Sequence, residues 1–379
     1  MRKTTISILS PNVSNNSLGR CFLLKEILER HFDVEIIGPA FETGVWAPLR
    51  NKVHCKTVSL NYFPSFFGEA DRLIKNITGD IIYAHKPLFT SFSLGLLKKA
   101  LAGRPLILDI DDYEPPVVAR FRGKRNLLFP NSYLTTVINE QLISLADEKT
   151  VAGRSLQKKY GGHVIWHARD THRLAPEKWD RHQTRERLGL KSEQRVVAFF
   201  GTPHPYKGLD DLVTAIGLLE DPKVVFLVIG LSDCTYSSYI RQLARDYLKT
   251  EQFVDLGIQP IEELPNYLAA ADLIVIPQKN TPETEIQVPA KVFDAMAMAK
   301  PIIATKVSDL PEILDGCGYL AETREPESLA STIEALLENW EAALDSGRRA
   351  HVKCTQKYSY DALERRLIPL FEKYIPVPI

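Results

Sequence analysis

Three short stretches of this 379-residue sequence combine residue types able to do chemistry at a useful spacing. The first reads Gly201-Thr202-Pro203-His204-Pro205-Tyr206-Lys207-Gly208, after the apolar run Val196–Phe200 and before a helical pattern over Leu209–Leu219. Gly201 lets the backbone turn closely, Gly208 opens a helix whose free N–H groups favour an anion, and Lys207 adds a mobile positive charge. The same residues also suit an ordinary turn with a surface lysine. The second stretch runs from Glu283 through Glu285, Val288, Pro289 and Lys291 to Asp294, between the runs LIVI and PIIAT. Pro289 fits a first helical position, and Val288 before it has no side-chain oxygen to cap the following amides. Those amides, with Lys291 one turn away, would favour an anion. Asp294, three residues beyond Lys291, shares its helical face and offers a carboxylate to sugar hydroxyls. A local Lys–Asp surface pair, contributing little, is the other reading.

The third stretch, Asp109-Ile110-Asp111-Asp112-Tyr113-Glu114, clusters carboxylates at the carboxyl end of an expected strand. Magnesium ligation, binding or activation of an acceptor hydroxyl, and structural capping all suit such a cluster. His85, in Ala84-His85-Lys86-Pro87 at the end of another strand, is a second catalytic candidate, or a packed loop residue. Between Ala119 and Phe129, Arg120, Arg122, Lys124 and Arg125 alternate with Phe121, Leu127 and Leu128. That composition suits an anionic membrane surface or a lipid-linked acceptor, and equally a solvated loop.

Elements must position these groups, and the hydrophobic pattern supplies them. Runs such as VVAFF, VVFLVI and LIVI are apolar throughout, as strands buried on both faces of a parallel sheet are. They alternate with amphipathic segments from end to end, which predicts helices flanking parallel sheets. The alternation occurs twice, so two doubly wound domains are expected, over 1–175 and 176–357. The polar stretch Ala168–Glu193 contains the boundary. A terminal helix within 358–379, with Leu363, Leu367, Leu370 and Phe371 on one face, is expected to pack back on the first domain.

Bulk composition narrows the function. Apolar residues at 45% and charged residues at 25% are globular values. Net charge is zero, so nothing in the total points to nucleic acid. Through Arg173 there are 24 Lys+Arg against 16 Asp+Glu, and the remainder has 23 against 31. The basic first half is suited to an anionic partner, although solvated surface charge gives the same count. Five scattered cysteines without a CxxC spacing support neither a zinc site nor a disulfide framework, and fit a reducing cytoplasm. The run Ile6–Leu9 is too short for a signal segment, and no stretch approaches the roughly 18 apolar residues of a spanning helix. A cytoplasmic protein, at most attached to a membrane surface, is expected.

The order of motifs resembles glycosyltransferase family four, the large retaining GT-B family. VVAFFGTPHPYKGLDDLVTAIGLL resembles its strand, G-R-x-x-x-x-K-G loop and helix, and VVFLVIG, ending at Gly230, resembles its next strand and glycine. IEELPNYLAAADLIVIPQ and PAKVFDAMAMAKPIIATKVSDLPEIL resemble the segments around its Glu–x7–Glu motif. GYLAETREPESLASTIEALLEN resembles its closing strand and helix. DIIYAHKP, PLILDIDDYEP and HVIWHARDTHRLAP are looser matches to its first domain. The resemblance implies two Rossmann-like domains facing a cleft, the first for the acceptor and the second for a nucleotide-diphosphate-sugar donor. It implies transfer with retention, no cofactor and no metal.

Several positions depart from that pattern. The family's loop arginine falls on Thr202, and its lysine on Lys207. Its second motif glutamate falls on Asp294, and its first on Ile286, with Glu285 and Glu283 nearby. Lys291 is a candidate to replace the lost arginine charge. The N-terminal glycine-rich loop reads Ser14-Asn-Asn-Ser-Leu-Gly19, where Gly19 and the asparagines would present amides and side chains to phosphate. The expected donor residues are therefore Gly19, Gly201, Thr202, Lys207, Gly230, Glu285, Lys291 and Asp294, and the expected catalytic residues are His85 and Asp111. Loss of the arginine and first glutamate keeps two rivals open: a GT-B protein binding a nucleotide sugar or partner without catalysis, and a GT-B nucleotide-sugar epimerase.

Overall fold

The computed structural model describes residues 3–41, 44–60, 66–119 and 129–375. The basic residues expected to meet a membrane, at 120–125, lie outside that set. The chain divides into two compact units, Met1–His167 with Tyr360–Ile379, and Ala168–Ser359.

The first unit is built on seven strands: β1 (Thr5–Leu9), β2 (Asp33–Ala40), β3 (Cys55–Ser59), β4 (Ile81–His85), β5 (Leu106–Ile110), β6 (Glu148–Val151) and β7 (His163–Val164). They form one sheet in the order β3-β2-β1-β4-β5-β6-β7, and every pair is parallel. Strands β4 and β5 are buried at every residue. An apolar run of four or five residues is long enough to cross a sheet covered by helices on both faces, which is why these runs become strands. The order reverses between β1 and β4. Loops leaving the carboxyl ends of those two strands therefore diverge and open a crevice, the usual ligand position in such sheets.

The terminal helix, Tyr360–Glu372, belongs to this unit. Phe371 sets its ring edge-on to Tyr83, 5.1 Å between centroids. Arg30 on the helix Ser17–Leu28's trailing turn bonds Asp361 at 2.8 Å, and the Tyr360 hydroxyl donates to Glu26 at 2.6 Å.

The second unit has six strands: β8 (Arg195–Phe200), β9 (Val224–Ile229), β10 (Phe253–Asp255), β11 (Leu273–Ile276), β12 (Ile302–Thr305) and β13 (Tyr319–Ala321). Their order is β10-β9-β8-β11-β12-β13, again wholly parallel. Val197 and Phe199 of β8, Phe226 and Val228 of β9, and Leu209, Leu212 and Ile216 of the helix Leu209–Leu218 are buried in one core. This sheet reverses between β8 and β11, so the loops carrying Lys207 and Lys291 leave from neighbouring strands. Both units are Rossmann-like.

Among the described residues no helix is long and apolar enough to cross a membrane. All five cysteines are free.

Candidate functional site

Backbone geometry after β8 depends on glycine. Gly230, at the end of β9, has φ 113°, and a Cβ there would lie 2.6 Å from the Gly201 carbonyl oxygen. Gly208 begins the helix Leu209–Leu218 in the left-handed region, φ 72°, with its Cα pressed on β11's continuation. A Cβ at Gly208 would lie 1.8 Å from the Pro277 carbonyl oxygen. Side chains are therefore excluded at both positions, and the loop from Gly201 to Lys207 is drawn tightly over the strand ends.

Two lysines arrive there by different routes. Lys207 closes the short turn Pro205–Lys207, and its Nζ donates to Gln287 at 3.2 Å and to Gln278 at 3.4 Å. Lys291 starts the helix Lys291–Ala297, and its Nζ sits 3.5 Å from the centroid of the Phe199 ring. That Nζ is enclosed and has no hydrogen-bond partner among the described residues. Burial holds the Lys291 amine well below the usual lysine range, the charge of Lys207 pushes it the same way, and Asp294 pulls only partly against them. A desolvated cation–π contact is worth about 2 kcal/mol. Enclosing an ammonium without acceptors costs several kcal/mol, so burial decides the balance.

Asp294 is engaged elsewhere. The Arg169 guanidinium grips its carboxylate through Nε and Nη2, the latter at 2.6 Å, and also donates to the Ala290 carbonyl at 3.2 Å. The helix itself begins two residues later than the sequence pattern predicts: Ala290 is its cap, and Pro289 precedes it. The amides of Val292 and Phe293 turn back to the carbonyls of Pro289 and Ala290 at 3.1 Å each, so the opening turn is tighter than an α-helix.

In the first unit the expected catalytic pair meets at the ends of β4 and β5. Asp109, wholly buried, accepts from Arg20 Nε at 3.1 Å and Nη2 at 2.9 Å, from His85 Nδ1 at 3.0 Å and from the Thr150 hydroxyl at 2.7 Å. Burial alone would raise this carboxyl, but Arg20, with hydrogen bonds from His85 and Arg20, holds it well below the usual carboxylate range. An ionised Asp109 only accepts, so the His85 ring donates through Nδ1 and turns Nε2 toward Asp111. His85 is 1% exposed, and its Nε2 lies 3.6 Å from Asp111 Oδ2 with no hydrogen-bond partner among the described residues.

Next to this pair, Lys86 adopts φ 67°, a rare conformation for a residue with a Cβ. Its ammonium lies 3.1 Å from Asp111, 2.5 Å from Asp112 and 2.6 Å from Glu114. Burial would lower the Lys86 ammonium, and the three carboxylates overcome that and raise it well above the usual range. Asp111, Asp112 and Glu114 have the spacing of a metal-ligand set. In this structure the Lys86 ammonium contacts all three of them.

Residues 194–339 match the family model described as Glycosyl transferases group 1. The match marks this stretch as similar to the group 1 glycosyltransferases. The D-inositol 3-phosphate glycosyltransferase of Corynebacterium efficiens is 30% identical over 200 residues, 50% of this chain and 46% of that protein. The chain thus spans about half the length of the curated relatives it matches. Among solved structures, Anabaena HepE in complex with UDP and glucose superposes with a TM-score of 0.79 at 17% identity, over 98% of this chain and 100% of that one. Sucrose-phosphate synthase of Thermosynechococcus elongatus gives 0.77 at 16% identity, over 98% and 99%. At these identities the likeness is one of fold, and that fold is GT-B.

Within the matched residues 194–339, Gly201, Lys207, Gly230 and Lys291 lie at the carboxyl end of the sheet's centre. Thr202, at the family's arginine position, is exposed beside them. Near the motif's first glutamate, Glu285 is exposed while Glu283 is 7% exposed. Gly19 lies in the first turn of the helix Ser17–Leu28, where a Cβ would sit 3.6 Å from the Trp46 ring.

Three cations escaped the sequence reading: Arg20, Lys86 and Arg169. Arg20 carried a signal, because it stands on the stripe of Leu24 and Ile27 that the helix buries. A cation on a buried stripe calls for a buried carboxylate.

Proposed function

We propose that this chain is a retaining, metal-independent glycosyltransferase that moves a hexose from a nucleotide-diphosphate-sugar donor to a saccharide or lipid-linked acceptor. The observation that carries the reading is the pair of lysines, Lys207 and Lys291, at the β8–β11 reversal of the second unit. Lys291 Nζ has no hydrogen-bond partner among the described residues, Lys207 Nζ donates to the side-chain amides of Gln278 and Gln287, and Gly201 and Gly230 let the turn pass close beside them. Such a site neutralises the charge that builds on a diphosphate leaving group. HepE, a protein of the same fold, binds UDP and glucose, which supports a nucleotide-sugar donor.

On the acceptor side, His85 Nε2 takes the proton of the attacking hydroxyl, and Asp111 orients that hydroxyl. Lys86 fixes Asp111 in place, and Asp109 fixes the histidine tautomer.

The test is a screen of nucleotide sugars for release of nucleoside diphosphate, with and without EDTA. At least one donor is expected to be turned over, with EDTA leaving the rate unchanged. Binding without turnover of any donor would favour a non-catalytic protein, and loss of rate with EDTA restored by magnesium would overturn metal independence. On the responsive donor, Lys207→Ala is expected to lower turnover about 10- to 100-fold, the loss of one charge-assisted contact of about 1.5–3 kcal/mol. An unchanged rate would remove Lys207 from the donor site.

A further inference from the structure

We propose that Lys291 is an uncharged amine in the empty site and takes up one proton when a nucleoside diphosphate binds. The inference rests on the donor-site reading above, and extends it from where the phosphates bind to how the site's charge is set.

Among the described residues, none accepts a hydrogen bond from the Lys291 Nζ. The carboxylate on Lys291's own helix, Asp294, is gripped on both oxygens by Arg169. From the loop after β8, the group facing Lys291 is another cation, Lys207, whose own bonds go to the neutral amides of Gln278 and Gln287. From β8 itself the neighbours are the rings of Phe199 at 3.5 Å and Phe200 at 5.8 Å from Nζ. The amine also lies against Gly201, where a Cβ would stand 3.3 Å from Nζ. The rings favour a cation only weakly, and an enclosed nitrogen beside a like charge, with no acceptor among the described residues, is a place where the neutral form is favoured. The low basicity of this amine is in accord with that surrounding.

A diphosphate supplies what is missing. Its oxygens accept from all three ammonium hydrogens, and its negative charge outweighs the repulsion from Lys207. The ammonium then becomes the favoured form, and the proton comes from solvent buffer, so that amine plus hydronium gives bound ammonium and water. Until the ligand arrives, the neutral amine spares the site a second cation beside Lys207. Linkage follows directly: where the empty-site amine is neutral, each proton taken up makes affinity fall as pH rises.

Calorimetric titration of the whole chain with UDP, GDP and ADP, in Tris and in HEPES, reads the proton directly. At about pH 8 the nucleotide's own phosphates are fully ionised, their second pKa being near 6. The expected result is uptake of about one proton per nucleotide bound, and affinity falling about tenfold from pH 8 to 9. Lys291→Met should bind more weakly with no buffer dependence, for want of a titrating group. Lys291→Arg should bind with no buffer dependence because its guanidinium is charged throughout. Binding by the wild type with equal heats in both buffers would overturn the inference and leave the donor reading standing. Buffer dependence that persists in both variants would assign the proton to another group and overturn it equally. Failure of all three diphosphates to bind would overturn the donor reading, and the inference with it.

Discussion

Replacing His85 by alanine is expected to lower turnover of the responsive donor by about 10²- to 10⁴-fold, the usual contribution of a positioned proton acceptor. The expectation comes from the direction in which the ring is held. Asp109 accepts a hydrogen bond from Nδ1 at 3.0 Å, and the opposite nitrogen, with no hydrogen-bond partner among the described residues, lies 3.6 Å from Asp111. Nucleotide affinity, measured by calorimetry, should stay near the wild-type value, because no donor residue proposed here lies in the first unit except Gly19. Asp111→Asn keeps the shape and removes the charge, and it should lower turnover less than the histidine change. A His85→Ala rate within about threefold of wild type would exclude the ring from proton transfer. Equal loss of rate and of nucleotide affinity would mark His85 as a structural residue instead.

The second large effect is on stability. Asp109→Ala is expected to destabilise the chain by about 3–5 kcal/mol, because it strands a buried guanidinium. Arg20 would keep its bonds to the carbonyls of Ile165 at 2.6 Å and Trp166 at 2.8 Å but lose its only described carboxylate partner. The hydroxyls of Thr150 and Tyr83, joined at 2.7 Å, would lose the acceptor at the end of their chain. The measurement is equilibrium denaturation in urea. Its pH dependence carries a sign: Asp109 is held below its unfolded value, so its contribution is complete above about pH 4 and is lost as pH falls further. The alanine variant should therefore show a shallower loss of stability in acid. A change under about 1 kcal/mol would mean that the pair is not what ties the helix Ser17–Leu28 to the sheet.

Much of the architecture was legible in the sequence. The strands Val224–Ile229 and Leu273–Ile276 lie on the apolar runs VVFLVI and LIVI that announced them, to the residue. A strand covered on both faces has no polar alternative, so local composition alone decides it. The turn chemistry was legible for a similar reason. Gly201 and Gly208 mark conformations that few other residues adopt, and a glycine at such a spacing can be read without knowing its neighbours. The positions of Lys207 and Lys291 after strands placed them at carboxyl ends of a parallel sheet, where ligands bind.

What the sequence did not determine is which charge meets which. Asp294 stood on Lys291's helical face, and the spacing made a pair of them; the folded chain gives the carboxylate to Arg169, 125 residues away. Lys291 was read as a cation because lysine usually is one, and only its enclosure against Phe199 makes it an amine. The Asp109, Asp111 and Asp112 cluster looked like one unit, yet the folded chain gives Asp109 to Arg20 and His85, and Asp111 and Asp112 to Lys86. Periodicity reports which face a residue takes, because burial of apolar surface is summed over a whole element. Ion pairing depends on single contacts between distant segments and on the local dielectric, and those exist only once the sheets have assembled.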